Sequence, residues 1–117
     1  MAGVAAEDSV ERYYRNAGFQ ILKQRYRGKR GEIDLIVGDG PSVVFVEVKK
    51  SKTHSRAATR VSRAQQLRIM TTAAEFLTDL PNGQLTECRF DVALVDQYGG
   101  LIILENAIGH DEPPLPL

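Results

Sequence analysis

Apolar residues at Ala6, Val10, Tyr13, Tyr14 and Ala17 recur at i, i+4 and i+7. This pattern predicts an amphipathic helix over Ala5–Ala17 with Gly18 as its stop. Phe19 and Ile21 then alternate with polar neighbours in a short strand, residues 19 to 23. RYRGKRG, residues 25 to 31, reads as a basic connector containing glycine. EIDLIV and SVVFVEV are rich in Ile, Val and Phe and are split by GDGP, which predicts two strands joined as a hairpin. KSKTHSRAATR has no periodicity and reads as a loop. Ile69, Ala73, Phe76, Leu77 and Leu80 return to helical spacing, so a second helix is expected from about Ser62 to Leu80, closed by Pro81-Asn82-Gly83. Cys88, Phe90, Val92 and Leu94 alternate in a further strand, Tyr98-Gly99-Gly100 turns the chain, and LIILE is the last strand.

The pattern predicts an α/β fold: a single mixed β-sheet with flanking helices, in the order αβββαββ. The strands on either side of the second helix are expected to pair in parallel through it. At 117 residues with 43% hydrophobic content, the chain suits one domain, residues 1–117. The proline-rich stretch 109–117 is expected to fray. No segment approaches the roughly 20 apolar residues of a membrane-spanning helix, so a soluble protein is expected. The one cysteine, Cys88, leaves no internal disulfide and fits a reducing cytoplasm.

Charge changes this picture more than composition does. The 15 Lys and Arg balance 15 Asp and Glu, but residues 23–68 hold 12 of the bases and only 4 of the acids, a surplus of +8 offset by −8 elsewhere. A basic middle on a neutral protein is the footprint of a polyanion-binding surface; a soluble surface with clustered charge is the plainer reading. Arg25, Arg27, Lys29 and Arg30 are the strongest candidates for phosphate contact, four cations leading into an acidic strand. Lys50, Lys52 and Arg63 extend the basic set on the far side of the hairpin.

Three of the four acids in the basic block are Glu32, Asp34 and Glu47, inside the two hairpin strands. Side chains alternate along a strand, so Glu32 and Asp34 share one face opposite Ile33, Leu35 and Val37; Glu47 and Lys49 share a face opposite Val46 and Val48. If residues 39 to 42 form the loop, Asp34 lies across from Glu47. A loop at Asp39 and Gly40 sets Glu32 across from Glu47, and an unbulged three-residue loop scatters the acids to opposite faces. Like charges facing each other at about 5 Å destabilise a sheet. A hard divalent cation, Mg²⁺ or Mn²⁺, repays that repulsion by binding carboxylates, water and phosphate oxygens. Lys49 then stands beside the ion, where its ammonium is suited to orienting an attacking water or neutralising a phosphorane-like transition state. An exposed sheet face with alternating Glu and Lys is the structural alternative.

Glu7 follows the stripe of Val10 and Tyr14 on the first helix and needs a partner there. A salt bridge to Arg25 or Lys23 competes with a role at the metal. His54 and His110 have no second ligand at metal spacing and read as solvated. Tyr13 and Tyr14 fit the packing stripe better than a base-stacking role, and Asp91 is better explained by pairing with a basic residue than by approach to the site.

A leading helix with a Glu, a strand with an Asp and a strand with E-x-K resemble the core of the PD-(D/E)xK nuclease superfamily. More narrowly, A-E-D-x-x-x-x-Y-x-x-x-G-F-x-I-L, then R-G-E-I-D-L-I, V-F-V-E-V-K and R-F-D-V, resemble the YraN-like family of small bacterial proteins related to Holliday-junction resolvases. The resemblance covers about Glu7 to Val95. It implies a restriction-endonuclease-like core, a metal-dependent DNA endonuclease acting on phosphodiesters of branched DNA, Asp34 and Glu47 as metal ligands with the Val48 carbonyl, Lys49 as catalytic lysine, and Glu7 as a supporting acid. Glu32 matches the motif without a defined role. Resolvase kinship implies a symmetric homodimer. One departure is Ala64, where the family carries a Lys before Gln65; this favours the alternative of a non-catalytic nucleic-acid-binding module. A weaker alternative is an interaction protein that recruits a repair or recombination enzyme.

Overall fold

The computed structural model describes residues 3–50 and 61–108. Helix α1 spans Val4–Asn16 and buries Ala6, Val10 and Tyr14, one residue in each four of the predicted stripe. Its end follows from the sequence Ala-Gly-Phe. Gly18 adopts φ 96°, the Gly18 amide donates to the Arg15 carbonyl (3.0 Å) and the Phe19 amide to the Tyr14 carbonyl (2.9 Å). That is a Schellman closure, and the accompanying apolar contact is the edge-on pair of Tyr14 and Phe19 rings at 5.4 Å.

Strand β1 covers Gln20–Arg27, longer than the pattern predicts: Arg25, Tyr26 and Arg27 belong to the strand, and only residues 28–31 connect. The apolar alternation is interrupted by a bulge at Leu22, between the pairs Ile21–Val37 and Lys23–Ile36, which hides the strand's continuation. Strands β2 (Glu32–Asp39) and β3 (Ser42–Lys50) form the expected hairpin. Its turn is a two-residue one, Gly40-Pro41, because Asp39 pairs with Ser42: shorter than the predicted loop at 39–42 and one residue on from the predicted pair Asp39-Gly40. Gly40 supplies φ 61° and Pro41 a fixed negative φ, the sign sequence of a type II′ turn that suits strand twist.

Helix α2 runs from Arg63 to Thr78, and the Ser62 hydroxyl caps it by accepting the Gln65 amide at 3.1 Å. A short 3₁₀ turn, Gly83–Leu85, leads to β4 (Cys88–Val95), and β5 (Leu101–Leu104) closes the described chain. The sheet order is β1-β2-β3-β4-β5; β3 and β4 are parallel, as predicted, and the other pairs antiparallel. Among the described residues the fold is therefore a mixed five-stranded sheet with two helices, and none of the described helices is long and apolar enough to cross a membrane.

One helix packs on each face, which explains why β2 and β3 read as near-continuous apolar runs. Val44, Val46 and Val48 join Leu35 and Val37 under α1, while Val43 and Phe45 join Ile36, Ile69, Ala73 and Leu77 under α2. Phe45 stacks on Phe90 at 5.2 Å. Cys88, Phe90, Val92 and Leu94 share the α2 face, as the alternation predicts.

Candidate functional site

The hairpin register decides which acids meet. Gly38 pairs with Val43 and Leu35 with Val46, so one step further Asp34 falls opposite Glu47. This is the first of the three predicted registers, reached through a shorter turn. The register that sets Glu32 opposite Glu47 is not the one formed: Glu32 lies against β1, pairs with Arg27 and is 3.4 Å from its guanidinium.

The described ladder between β2 and β3 stops at Leu35–Val46, and Asp34 sits where the two strands part. Asp34 Oδ2 accepts the Val48 amide at 2.8 Å, taking over the place of a backbone partner. In an extended residue N–H and C=O leave from the same edge, so the Val48 carbonyl also faces the fork. The alternation of β2 breaks here too. Leu35 and Val37 pack under α1 as a pair, but Ile33 lies with Ile36 and Phe45 under α2, contrary to the prediction that all three share a face. A residue-by-residue period of two cannot survive the point where a strand leaves its neighbour.

Glu47 side-chain atoms are 11% exposed. Oε2 accepts from Gln65 Nε2 at 3.0 Å and lies 3.7 Å from Lys49 Nζ; Oε1 is buried with no hydrogen-bond partner. Burial, and next the charge of Asp34, push the Glu47 carboxyl up to about 7, partly offset by Lys49. Burial likewise raises Asp34, with the Val48 amide opposing and the charge of Glu7 adding to it. Two carboxyls whose charged forms are both disfavoured titrate as a pair.

This donor set suits a hard cation. An unpartnered buried carboxylate oxygen, a second carboxylate and a carbonyl at the fork are oxygen ligands, the preference of Mg²⁺ and Mn²⁺. Among the described residues no three His, Cys, Asp or Glu side chains gather as a self-sufficient metal cage. Mg²⁺ commonly takes one or two carboxylates and completes its shell with water and substrate.

The other predicted residues sort around this fork. Glu7 pairs with Arg25, Oε1 to Nε at 2.8 Å, which is one of its two predicted partners. The Arg27–Gly31 segment leans on α2: Gly28 donates to the Gly31 carbonyl at 2.8 Å, and the Lys29 amide donates to the Glu75 carboxylate at 3.1 Å. A Cβ on Gly28 would lie 3.0 Å from that carboxylate, so glycine allows the close approach. Lys29 and Arg30 are thereby displayed on a braced turn next to Arg27 at the end of β1; all three are exposed, as are Lys50 at the end of β3 and Arg63 at the start of α2. Lys52, His54 and His110 lie outside the described residues.

Gln65 is a site residue that sequence reasoning did not single out. Its signals were its place in the motif after Ala64 and its position as the third residue of a capped helix. Asp91 pairs with Arg89 as predicted, Oδ1 to Nε at 3.0 Å. Tyr14 is core; Tyr13 stays partly exposed against its ring edge.

The profile of the uncharacterised protein family UPF0102 matches residues 6–95. A UPF0102 protein of Ruegeria pomeroyi is 54% identical over 110 residues, 94% of this chain and 89% of its own length. One of Cereibacter sphaeroides is 55% identical over 106 residues, 91% of each chain.

Proposed function

The chain belongs to the UPF0102 family, and from that premise we propose that it is a Mg²⁺-dependent nuclease of the PD-(D/E)xK, restriction-endonuclease-like kind, hydrolysing phosphodiesters of branched DNA. The observation that carries this reading is Glu47: a buried carboxylate with one unpartnered oxygen, facing Asp34 and flanked by Lys49. Burying such a group without a use is costly.

Asp34, Glu47 and the Val48 carbonyl would hold the ion. When bound, Mg²⁺ supplies Lewis acidity toward a phosphate oxygen and a readily deprotonated water. The chain's own groups do the rest. Gln65 fixes Glu47 through Oε2 and leaves Oε1 for the cation. The Val48 amide fixes Asp34. Lys49, its ammonium drawn toward Glu47, is near enough to orient the attacking water and to neutralise charge gathering on the phosphoryl oxygens. Arg27, Lys29, Arg30, Lys50 and Arg63 grip the phosphate backbone and set its register without reading sequence.

The test is cleavage of four-way, flapped and linear DNA with Mg²⁺, Mn²⁺ or EDTA, comparing the natural chain with Asp34→Ala and Lys49→Ala. Metal-dependent cleavage that falls by about 10²- to 10³-fold in Lys49→Ala is expected. Equal cleavage in all three proteins would overturn the proposal. Salt-sensitive DNA binding with no cleavage would instead favour a binding module, the reading that Ala64 supports.

A further inference from the structure

Arg25 is the odd residue of β1. It has φ 51° inside an antiparallel strand, a conformation that a residue with a Cβ rarely adopts. Its neighbours pair normally, Gln24 with Leu35 and Tyr26 with Ile33, so Arg25 and Asp34 occupy the skipped level between them. Arg25 and the break in β2 therefore face each other across the ladder. Backbone held in a disfavoured region clusters at sites where a side chain must be aimed.

The aim is inward. Arg25 Nε lies 2.8 Å from Glu7 Oε1, while Glu7 Oε2 is buried with no hydrogen-bond partner. Glu7, Arg25 and Asp34 line a cavity of about 190 Å³ between α1 and the β1–β2 edge, room for several waters. The hydrogen bond to Glu7 and its charge, and after them the charges of Glu32 and Asp34, hold the guanidinium above its ordinary range. Sequence position makes Arg25 a phosphate contact; its geometry makes it the counter-charge of two acids beside the fork.

We propose that Arg25 is a built-in cation standing between Glu7 and Asp34, where it takes the place of a second divalent ion and limits the centre to one. The inference rests on the metal reading given above. Its chemistry is simple: two carboxylates with one unpartnered oxygen and space for a hydration shell make a site for a hard cation once the guanidinium is gone. With it in place, a second dication would meet a fixed positive charge.

The experiment counts Mn²⁺ bound to the full chain without DNA, by calorimetry and by the loss of the free-ion electron paramagnetic resonance signal. One ion is expected for the natural chain and for Arg25→Lys, and two for Arg25→Gly, which also frees the backbone to adopt φ 51°. Adding Glu7→Gln to Arg25→Gly should return the count to one. Should Arg25→Gly melt without a cooperative transition, Arg25→Asn, which tolerates the left-handed region, replaces it. One ion in a folded Arg25→Gly, or two in the natural chain, overturns the proposal. No ion in the natural chain overturns the metal reading itself, and with it the role of Arg25. A second readout is the salt dependence of binding to a labelled oligonucleotide. Its log–log slope should be the same with and without Arg25; a fall of about one would return Arg25 to phosphate contact and overturn the proposal.

Discussion

Asp91 and Glu47 are both carboxylates sunk into the same sheet, and their surroundings could hardly differ more. Asp91 is fully buried and spends every lone-pair direction. Its oxygens accept from the Tyr14 hydroxyl at 2.7 Å, from Arg89 at 3.0 and 3.2 Å, and from the Asn106 amide at 3.0 Å. Glu47 keeps one buried oxygen without a partner and faces a second carboxylate. Burial alone therefore does not mark a functional acid. What separates the two is whether the protein itself completes the acid's coordination: at Asp91 it does, and the result is a rivet between α1, β4 and the segment after β5. At Glu47 it does not, and that shortfall is what the proposed cation would fill.

The largest effect should come from removing the rivet. Asp91→Ala leaves the Arg89 guanidinium and the Tyr14 hydroxyl without their shared acceptor, and breaking a buried pair on one side typically costs about 3–5 kcal/mol. In a domain whose whole stability is about 5–15 kcal/mol, that lowers the urea midpoint steeply. Mn²⁺ binding by the folded fraction should be untouched, because the bonds of Asp91 run to Tyr14, Arg89 and Asn106 rather than to the residues of the fork. A variant that keeps its midpoint, or one that folds and loses the ion, would erase the distinction drawn between the two acids.

The second test uses pH. Glu47 is raised from 4.5 to about 7 in the folded chain. Below pH 4.5 it carries its proton in both states and contributes no difference. Between 4.5 and about 7 the unfolded chain releases the proton while the folded chain retains it, so stability falls as pH rises through this window. Above about 7 the full loss stands, at most about 3 kcal/mol by the usual 1.36 kcal/mol per pH unit. Asp34, raised by the same burial, adds a loss of the same sign. Urea melts at pH 5 and pH 8 should show the natural chain weaker at pH 8, and the gap should narrow in Glu47→Gln. Saturating Mg²⁺ should close it as well, since an ion stabilises the ionised pair. A difference between the two pH values that is unchanged in Glu47→Gln would mean that another group sets it.

The two regions were unequally legible in the sequence. Asp91 was readable as a paired acid because Arg89 stands two residues away on the same strand, yet its bonds to Tyr14 and Asn106 come from segments 77 and 15 residues distant. At the fork, the E-x-D and E-x-K spacing named the chemistry, but three registers remained open until the Gly40-Pro41 turn chose one. Three features of the fork have no signature in composition or period. The αL backbone of Arg25 sits in a polar, strand-length run that reads as connector. The reversal of Ile33 occurs only because β2 departs from β3 there. Glu32, on the same sequence face as Asp34, is claimed by β1 rather than β3. By contrast the two-faced apolar runs of β2 and β3, the parallel pair with β4 and both described helices follow from periodicity, since each is set by burial on a whole face.

The smallest effect tests how Glu47 is aimed. Gln65 Nε2 is the side-chain amide donor on Oε2, and α2 can present it because Ser62 caps the helix one turn before. In Gln65→Ala the cap survives, as it uses only the backbone amide of that position, so the helix should remain and stability should change by about 1 kcal/mol. Metal affinity should change more than stability does. Groups that orient a metal's ligand typically matter by about 10- to 100-fold, and the lower end applies where water can enter, as it can beside half-buried Gln65. Mn²⁺ titration of Gln65→Ala should therefore show about tenfold weaker binding at unchanged stoichiometry. Affinity equal to that of the natural chain would mean that Lys49 and Asp34 alone orient Glu47, and that α2 serves the sheet without serving the site.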